Sequence, residues 1–265
     1  MKPSTSDRNR SGAAAGDGAP TVALAIPAFQ AAASVGDVAR RALALVEAPP
    51  VAGARLAEVL VVDDGSTDAT ARAAADAGAR VVSLPRNQGK GRALATAFDE
   101  LFARGHAAVV TLDADGQHLP EEVPVLLAAW AGAPEAARPH LVLGSRQHLF
   151  GGMGGVRRTS NRLSSVLISA AAGIDLADVQ SGFRLYSREL IAAIGFPEAR
   201  FEAESAVVVR AVRAGFRVIA VPVSLGFADG RVTSHYRPLV DSLRIARAVT
   251  AARLEAFRWV PARSW

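Results

Sequence analysis

Two carboxylates one residue apart are the sharpest chemical feature of the sequence. Asp113 and Asp115 come directly after the β-branched run 107–112, and Gln117 and His118 follow them. Two carboxylates on one tight loop can approach a single divalent cation, because hard cations prefer oxygen ligands and commonly keep phosphate oxygens in their shell. The same Asp-x-Asp-Gly pattern is typical of a turn held by side-chain to backbone hydrogen bonds. A metal site and a structural turn are therefore both open.

A second acidic segment, residues 63–68, reads Asp-Asp-Gly-Ser-Thr-Asp and lies between an apolar run and a helical pattern. Ser66 or Thr67 can cap the following helix, and Asp68 is favourable near its N-terminus, so part of the motif has a structural explanation. Asp63 is not covered by that explanation. A carboxylate at the end of a strand can accept hydrogen bonds from a nucleobase or a ribose, which makes Asp63 a candidate nucleotide ligand.

The basic segment 86–92, Arg-Asn-Gln-Gly-Lys-Gly-Arg, is broken by two glycines and opens a helical pattern. Backbone amides at such a helix start can hold anionic groups. The segment lacks the spacing of the nucleotide-binding P-loop, so that motif is excluded. Lys90 is therefore either a ligand for an anion or an ordinary solvated charge.

Two segments in the second half of the chain combine charge with aromatic residues. They are Ser181-Gly182-Phe183-Arg184 and Phe201-Glu202-Ala203-Glu204. Glu202 and Glu204 come near the start of a helical pattern, where acidic side chains are stabilised in any case. Their functional interpretation is that one of them faces a sugar or an acceptor.

The elements that must position these residues alternate between short β-branched runs and longer alanine-rich helical patterns, which is typical of a mostly parallel sheet flanked by helices. The predicted strands are 22–26, 58–62, 80–84, 107–112, 141–143 and 217–221, and the predicted helices are 34–46, 68–77, 91–103, 121–130, 159–172 and 202–214. In such a sheet the loops after the carboxyl ends of the strands form the ligand crevice. Residues 63–68, 113–118 and 144–146 follow predicted strands, so we expect them to meet in one crevice.

Length and composition limit the class of protein. The 265 residues are half apolar and contain no cysteine, which suits a single α/β domain and excludes disulfides, thiolate metal sites and a cysteine nucleophile. The longest nearly apolar stretches, 123–133 and 166–174, are shorter than the ~18 residues that a membrane-spanning helix needs, so we predict no such span. Residues 1–20 lack the hydrophobic core of a signal peptide and are expected to form a disordered leader.

The positive charge of the chain is local. There are 30 basic and 25 acidic residues, a formal net charge of +5. Residues 231–265 contain seven arginines against Asp241 and Glu255, so this segment carries the whole excess. It has no interleaved aromatic platform of the kind that single-strand binders use, and we predict no nucleic-acid partner.

A C-terminal helix that ends near residue 260 is predicted to be amphipathic. At about 100° per residue, one face carries Leu239, Leu243, Ala246, Leu254 and Phe257, and the adjacent sector carries Arg244, Arg247 and Arg258. Such a helix can lie on an anionic membrane surface. It can equally pack on the domain with its arginines in water, and the sequence leaves both arrangements open.

Seven motifs in order give the sequence a family resemblance. They are Ile26-Pro27-Ala28-Phe29, residues 61–67, Asn87-x-Gly89-Lys90-Gly91, residues 112–118, Gly144-Ser145-Arg146, Ser181-Gly182-Phe183-Arg184 and residues 201–223. Over residues 21–247 the chain resembles the family 2 glycosyltransferases, and within them the dolichol-phosphate mannosyltransferase-like branch, which includes polyprenol-phosphate glycosyltransferases. Any one motif is weak, but seven in register are specific.

The resemblance implies a glycosyltransferase A-type fold, a single domain over residues 21–230 with a mostly parallel nucleotide-binding sheet flanked by helices. It also implies a nucleoside-diphosphate sugar donor of the GDP-mannose or UDP-glucose type, a Mg²⁺ or Mn²⁺ ion, and inversion at the anomeric carbon. By motif, the base and ribose would be lined by Pro27, Phe29 and Asp63. The diphosphate and the metal would be held by Asp113, Ala114, Asp115 and Gln117, with Lys90 and Arg184 as further substrate-binding residues.

In the polyprenol-phosphate branch, the arginine of Gly-Ser-Arg and a basic stretch after it receive the acceptor phosphate. The positions that this implies here are Arg146, Arg157, Arg158 and Ser160. A phosphate acceptor is already ionised at neutral pH and needs positioning by arginine rather than deprotonation. A hydroxyl acceptor would need a general base, for which Glu202 and Glu204 are the candidates.

The sequence departs from the family in one motif. The family usually has Asn-Glu after the Pro-Ala-Phe segment, whereas this chain has Gln30-Ala31, so a carboxylate expected near the nucleotide is missing. A non-catalytic nucleotide-sugar binder is therefore one alternative, and a transferase with a hydroxyl acceptor, such as a glycan or a hydrophobic small molecule, is another. The leading hypothesis is a metal-dependent transferase that uses Asp115 and Arg146 to move a hexose to a polyprenyl phosphate. We expect it to be cytoplasmic and peripheral on the inner face of the cell membrane through the basic segment 231–265.

Overall fold

Seven strands, counted within the described part of the chain, form one central sheet. The computed structural model describes residues 19–145, 168–174, 179, 181–224, 226 and 238–255. The strands are β1 Thr21–Ala28, β2 Arg55–Asp63, β3 Arg80–Ser83, β4 Ala108–Thr111, β5 Leu141–Ser145, β6 Arg184–Ser187 and β7 Val218–Pro222. The helices are α1 Val35–Ala44, α2 Thr70–Asp76, α3 Lys90–Ala103, α4 Val123–Ala131, α5 Arg188–Ile194, α6 Glu202–Arg213 and α7 Pro238–Leu254. Residues 168–172 are also helical.

The strand order in the sheet is β3-β2-β1-β4-β6-β5-β7. Strand β6 is antiparallel to both of its neighbours, and the other pairs are parallel. The predicted fold class, a mostly parallel sheet flanked by helices, is therefore confirmed. All six predicted strands overlap observed ones, whereas β6 and α5 were not predicted. The predicted helix 159–172 falls within the described residues only over its last part.

The sheet is buried on both faces, because helices cover each of them. Along β1 the side chains of Val22, Leu24 and Ile26 pack with α1, α2 and α4. The alternate residues, Ala23 and Ala25, pack on the opposite face with α3, α6 and α7. Successive residues of a strand point to opposite faces, so a central strand between two helical layers must be apolar throughout. This explains why β1 reads as a continuous apolar run.

The C-terminal helix α7 packs on the domain. Its residues Ile245, Val249 and Ala252 are buried in the same cluster as α6. The side chains of Leu243 and Leu254 are 65% and 75% exposed. The helix therefore has one face on the domain and leaves two leucines outward. Within the described ranges, none of the helices combines the length and the apolar composition that a membrane span requires.

A buried arginine fixes the end of α7. Arg210 of α6 donates from Nε to Glu255 Oε2 at 2.8 Å and from Nη1 to Glu198 Oε2 at 2.8 Å. Burial lowers the pKa of Arg210, but the two carboxylates outweigh burial and the pKa is raised. The guanidinium therefore stays charged and ties the end of α7 to the loop before α6.

The carboxyl end of β5 lies beside the chain that enters β6. The backbone amide of Gly144 donates to the carbonyl of Phe183 at 2.8 Å. The space between them is tight, since a Cβ on Gly144 would stand 2.9 Å from the Phe183 ring. The chain that leaves β5 and the chain that enters β6 are therefore joined side by side.

Candidate active site

A cavity of about 680 Å³ lies where β1, β2 and β4 end. Its described lining is Pro27, Ala28, Phe29, Gln30, Ala31, Ala33, Ser34, Asp64, Asn87, Gly89, Lys90, Ala93, Asp113, Ala114, Asp115, Arg200, Phe201 and Arg244. The segments 63–68 and 113–118 therefore meet in one crevice, as expected from the strand pattern. Gly144 and Ser145 are not among the described lining residues, and Ser145 is buried.

The two carboxylates at the end of β2 have different surroundings. Asp64 lines the cavity, and its two oxygens accept the backbone amides of Gln88 at 2.7 Å and Gly89 at 2.8 Å. Burial raises the pKa of Asp64, although these two amide bonds act against it. Asp63, the predicted nucleotide ligand, is buried like Asp64, and its Oδ1 accepts the backbone amide of Ser66 at 3.1 Å. Of the two, only Asp64 is among the described residues that line the cavity.

Lys90 bridges two carboxylates. Its Nζ lies 2.6 Å from Asp113 Oδ1 and 2.9 Å from Glu204 Oε2. Burial works to lower the pKa of Lys90, but the two carboxylates outweigh it and raise the pKa, so the ammonium is charged. Gly182 lies against this pair, because a Cβ there would stand 2.5 Å from Asp113 Oδ2 and 2.6 Å from Lys90 Nζ. The glycine of the Ser-Gly-Phe-Arg motif thus makes room for a buried ionic cluster.

The loop after β4 is both a turn and a cavity wall. The backbone amide of Gln117 donates to Asp115 Oδ1 at 2.9 Å, and Gly116 between them has φ +77°. Asp115 also lines the cavity, as do Asp113 and Ala114. Gln117 is not among the described lining residues, and its carbonyl accepts the amide of Gly226 at 2.9 Å. The structural interpretation of this motif therefore holds, and it leaves the functional one open.

The carboxylates of this loop suit one kind of metal site. No group of three or more histidine, aspartate or glutamate side chains in the described residues could hold an ion by itself. A Mg²⁺ ion, however, is commonly bound through one or two carboxylates together with substrate phosphates and water. Asp113 and Asp115 on the cavity wall supply that donor set. The residues present therefore fit a metal that binds together with a phosphate-bearing substrate.

Arg184 does not reach the cavity, which corrects its prediction as a substrate-binding residue. Its side chain is fully buried, and its Nε and Nη2 donate to the carbonyls of Ser181 at 2.7 Å and Val179 at 2.6 Å. Its Nη1 donates to the carbonyl of Glu204. A guanidinium that contacts three backbone carbonyls holds Val179 and Ser181 against α6.

The two candidate bases on α6 differ in their charge partners. The Glu204 side chain is buried and ion-paired with Lys90. Glu202 is half-buried, and its Oε2 has no hydrogen-bond partner in the described residues. Neither is among the described residues that line the cavity. If an acceptor needed a base, Glu202 would be the better candidate, because the Glu204 carboxylate is ion-paired with Lys90.

The wall at the end of β1 is fixed by Gln30, the first residue of the departure from the family. Gln30 has φ +50°, its Nε2 donates to Thr67 Oγ1 at 2.8 Å, and its Oε1 accepts the Asp68 amide at 3.2 Å. The predicted cap of α2 by Ser66 or Thr67 is wrong, because the helix begins later, at Thr70. Pro27, Phe29 and Ala31 line the cavity beside this network.

Several of the described cavity residues were not predicted as site residues from the sequence, and among them are Arg200, Phe201 and Arg244. Arg200 and Phe201 are placed by glycines, since a Cβ on Gly89 would stand 2.5 Å from the carbonyl of Ala199. Gly89 also has φ +100°, a conformation that side chains rarely adopt. Gly89 and Gly91 of the basic segment 86–92 were the sequence feature that could have indicated this close contact. Arg244 belongs to α7 and had no local signal.

The predicted acceptor residues Arg146, Arg157, Arg158 and Ser160 lie outside the described residues. They remain predictions. Ser145, the residue before Arg146, is the last residue of β5.

The sequence is similar to those of known proteins. The model of the family described as Glycosyl transferase family 2 matches residues 24–195. The undecaprenyl-phosphate mannosyltransferase of Micrococcus luteus is 30% identical over 219 residues, which cover 78% of this chain and 84% of that protein. The polyprenol monophosphomannose synthase of Mycolicibacterium smegmatis is 32% identical over 63% of this chain and 65% of its own length.

A solved structure has the same overall architecture. It is the glucosyl-3-phosphoglycerate synthase of Mycobacterium tuberculosis, in complex with Mn²⁺, UDP and phosphoglyceric acid. The likeness has a TM-score of 0.66 and 25% sequence identity, and covers 89% of this chain and 78% of that one. The family match spans more than half of the chain and includes every described cavity residue except Arg200, Phe201 and Arg244.

Proposed function

The chain belongs to glycosyl transferase family 2, and on that basis we propose that it transfers a hexose from a nucleoside-diphosphate sugar to a polyprenyl phosphate. The observation that carries the proposal is the cavity at the carboxyl edge of the sheet. It combines the apolar residues Pro27 and Phe29 with the carboxylates Asp113 and Asp115 in one site. Such a site has surfaces for a nucleoside and for a metal-bound diphosphate. The relatives named for undecaprenyl and polyprenol phosphates support the choice of acceptor.

The donor nucleoside is proposed to lie along the wall formed by Pro27, Phe29 and Ala31. Ala31 stands where a glutamate is usual, so the base meets a small apolar side chain in place of a carboxylate. Asp64 lines the same cavity and is held by two backbone amides, which fixes its oxygens for contact with a base or ribose. Asp63 supports this wall through the turn at Ser66.

Asp115, with Asp113 and Gln117, would hold a Mg²⁺ or Mn²⁺ ion against the donor diphosphate. When bound, the ion neutralises the negative charge that develops on the leaving diphosphate. Lys90, which also lines the cavity, holds Asp113 in place through the ion pair at 2.6 Å. The similar structure with Mn²⁺ and UDP supports this assignment.

The proposed reaction is a direct displacement with inversion. An oxygen of the acceptor phosphate attacks the anomeric carbon from the face opposite the diphosphate. The bond from that carbon to the diphosphate oxygen breaks, and the nucleoside diphosphate leaves with the electron pair. The acceptor phosphate is ionised at neutral pH, so no side chain has to remove a proton. Arg146, with Arg157, Arg158 and Ser160, is proposed to position the acceptor, since an arginine fork suits phosphate oxygens.

A hydroxyl acceptor is the second candidate. The similar structure is named for a synthase and contains phosphoglyceric acid. Glu202 and Glu204 each have one buried carboxylate oxygen with no hydrogen-bond partner in the described part of the chain, but Glu204 is ion-paired with Lys90, so Glu202 would then be the base.

We also propose that the outward face of α7 meets an anionic membrane surface, which places the protein at the inner face of the cell membrane. Leu243 and Leu254 are strongly exposed on this face, and Arg247 and Arg253 are exposed beside them. Apolar side chains flanked by arginines suit the interface of an anionic bilayer. The lipid acceptor is then delivered at the surface that the enzyme already touches.

One assay tests the proposed reaction. The full chain is incubated with Mg²⁺ or Mn²⁺ and labelled GDP- and UDP-sugars, with polyprenyl phosphate, with 3-phosphoglycerate, or with no acceptor. We expect labelled lipid only when polyprenyl phosphate is present. Transfer to 3-phosphoglycerate alone would favour the hydroxyl acceptor. Saturable nucleotide binding without turnover from any donor would overturn both transferase proposals.

A further inference from the structure

One wall of the cavity comes from a part of the chain that the family match does not include. Of the described lining residues, Arg244 alone comes from beyond residue 201, and the family match ends at residue 195. Arg244 lies on α7, whose sequence gave no sign of belonging to the site. The packed C-terminal helix therefore contributes a cation to this wall.

The position of Arg244 is set by a packed helix. Ile245, the next residue, is buried against the domain together with Val249 and Ala252. Successive residues on a helix are about 100° apart, so Arg244 lies at the edge of the packed face. The far end of α7 is fixed by the ion pair between Glu255 and the buried Arg210. The side chain therefore approaches the cavity from an anchored backbone.

Charged side chains of both signs line the cavity. Its described lining has three carboxylates, Asp64, Asp113 and Asp115, and the cations Lys90, Arg200 and Arg244. The Lys90 charge is matched by Asp113 and Glu204 inside the protein. Arg200 lies near enough to Asp64 to lower its pKa. Arg244 is an exposed cation on the same wall, and an arginine fork can make two charge-assisted hydrogen bonds to a phosphate.

We infer that Arg244 binds an anionic phosphate group of a substrate in this cavity, so that the C-terminal helix completes the substrate site. The inference rests on the proposed function, because that function supplies phosphate-bearing substrates. The group is a phosphate of the nucleoside diphosphate or the phosphate of the lipid acceptor. Neighbouring residues of α7 then have separate tasks: Leu243 points outward and Arg244 serves the cavity.

Direct binding to two probes tests the inference without turnover. The wild-type chain, Arg244→Ala, Arg244→Lys and the control Arg213→Ala are titrated by calorimetry with UDP or GDP and the matching nucleoside in the presence of Mg²⁺, and with farnesyl phosphate. Arg213 is exposed on α6 and is not among the described residues that line the cavity. Loss of one charge-assisted bond to a phosphate weakens binding by about tenfold or more.

A tenfold loss in Arg244→Ala for the nucleoside diphosphate, with unchanged affinity for the matching nucleoside, assigns Arg244 to the donor. A loss for farnesyl phosphate alone assigns it to the acceptor. Arg244→Lys should recover part of the affinity, because lysine keeps the charge but not the fork. Equal affinities of wild type and Arg244→Ala for both probes would overturn the inference.

The result is separable from the proposed function. If the wild-type chain binds neither nucleoside diphosphate, the proposed function fails, and the inference fails with it. If the wild type binds and Arg244→Ala binds equally well, only the inference fails. Thermal melting of each variant shows that a loss of binding does not come from unfolding.

Discussion

Lys90 Nζ lies 2.6 Å from Asp113 Oδ1, so the first carboxylate of the Asp-x-Asp pair already has a cationic partner inside the protein. Glu204 Oε2 is on the same ammonium at 2.9 Å. The side chain of Lys90 is only 15% exposed. The two aspartates are therefore not equivalent: Asp113 belongs to a buried ionic cluster, whereas the Asp115 carboxylate is held by the amide of Gln117.

Lys90→Met should destabilise the protein by about 3 kcal/mol, because it leaves Asp113 and Glu204 together without their shared cation. Urea unfolding at neutral pH measures this change. The matched variant Lys90→Arg keeps the charge and should lose less. The double variant Lys90→Met/Glu204→Gln should recover part of the loss, since one of the two uncompensated charges is gone. Equal stability of Lys90→Met and wild type would contradict a structural role for the pair.

Asp115→Ala should lower kcat/KM by about a thousandfold or more with the fold intact, because a metal at this position supplies several kcal/mol of transition-state stabilisation. Steady-state kinetics and Mn²⁺ binding by electron paramagnetic resonance measure the effect. Asp37→Ala, which removes an exposed carboxylate on α1, is the control. Near-normal turnover of Asp115→Ala would show that the metal assignment is wrong.

Arg184→Met should reduce stability by about 3 kcal/mol or more, since the carbonyls that the guanidinium satisfies would be left buried without a donor. Because Arg184 does not reach the cavity, the KM for the donor should stay nearly constant at temperatures well below unfolding. Denaturant titration and donor kinetics are compared on the same preparation. If the variant had wild-type stability and a raised KM for the donor, Arg184 would be a substrate-binding residue after all.

Glu58→Gln should remove part of the acid sensitivity of folding. Burial raises the pKa of Glu58, but hydrogen bonds from His106 and Arg104 outweigh it and lower the pKa. Arg80, which also pairs with Glu100, adds to the lowering. A pKa that is lower in the folded state stabilises the protein above the unfolded value of about 4.3, and this stability is lost as the pH falls through the folded value.

The free energy of unfolding of wild type and Glu58→Gln, measured in urea from pH 3 to 7, tests this sign. The difference between them should be largest near neutral pH and should shrink as the pH falls. Glu47→Gln, at an exposed position on the chain after α1, is the control. A difference that stays constant over the whole range would show that Glu58 does not titrate differently in the folded state.

Leu243→Ser/Leu254→Ser should weaken binding to vesicles that contain anionic lipid, because it removes the two most exposed large apolar side chains among the described residues. Sedimentation with such vesicles measures binding. Val125→Ser, an exposed apolar position on α4, is the matched control. Unchanged binding of the double variant, or an equal loss in the control, would refute the proposed membrane face.

The parallel part of the sheet was predictable because its strands are apolar on both faces and each is followed by a helical pattern. Strand β6 was not. It has four residues and begins with the charged Arg184, which looks like a loop residue when its buried carbonyl partners are unknown. No sequence pattern indicates that β6 runs antiparallel to its neighbours. The helix α5 follows β6 without a loop, and it was not predicted because the strand before it was not recognised.

The candidate site was predictable where motif and strand end coincide, as at Asp113 and Asp115. The choice between the neighbours Asp63 and Asp64 was not predictable, because it depends on distant chain: Asp63 accepts the amide of Ser66, whereas Asp64 accepts the amides of Gln88 and Gly89. Arg244 was predicted to lie in the arginine sector of the C-terminal helix. Its place in the cavity depends on how α7 packs on α6, and the two helices are separated in sequence. Residues whose role depends on long-range packing carry no local signature.

The hydrogen bond between Gly144 and Phe183 joins the two ends of the connection from β5 to β6. Closing a flexible loop costs only about 0.6 kcal/mol more for each doubling of its length. Ile168, Ala172 and Val179 of this connection are buried in the core, so its length can change at little cost only where these apolar positions are kept. The predicted acceptor residues fall in this connection, and the donor residues do not. Exchange of this connection between relatives is thus a route by which acceptor preference could change while the donor site stays the same.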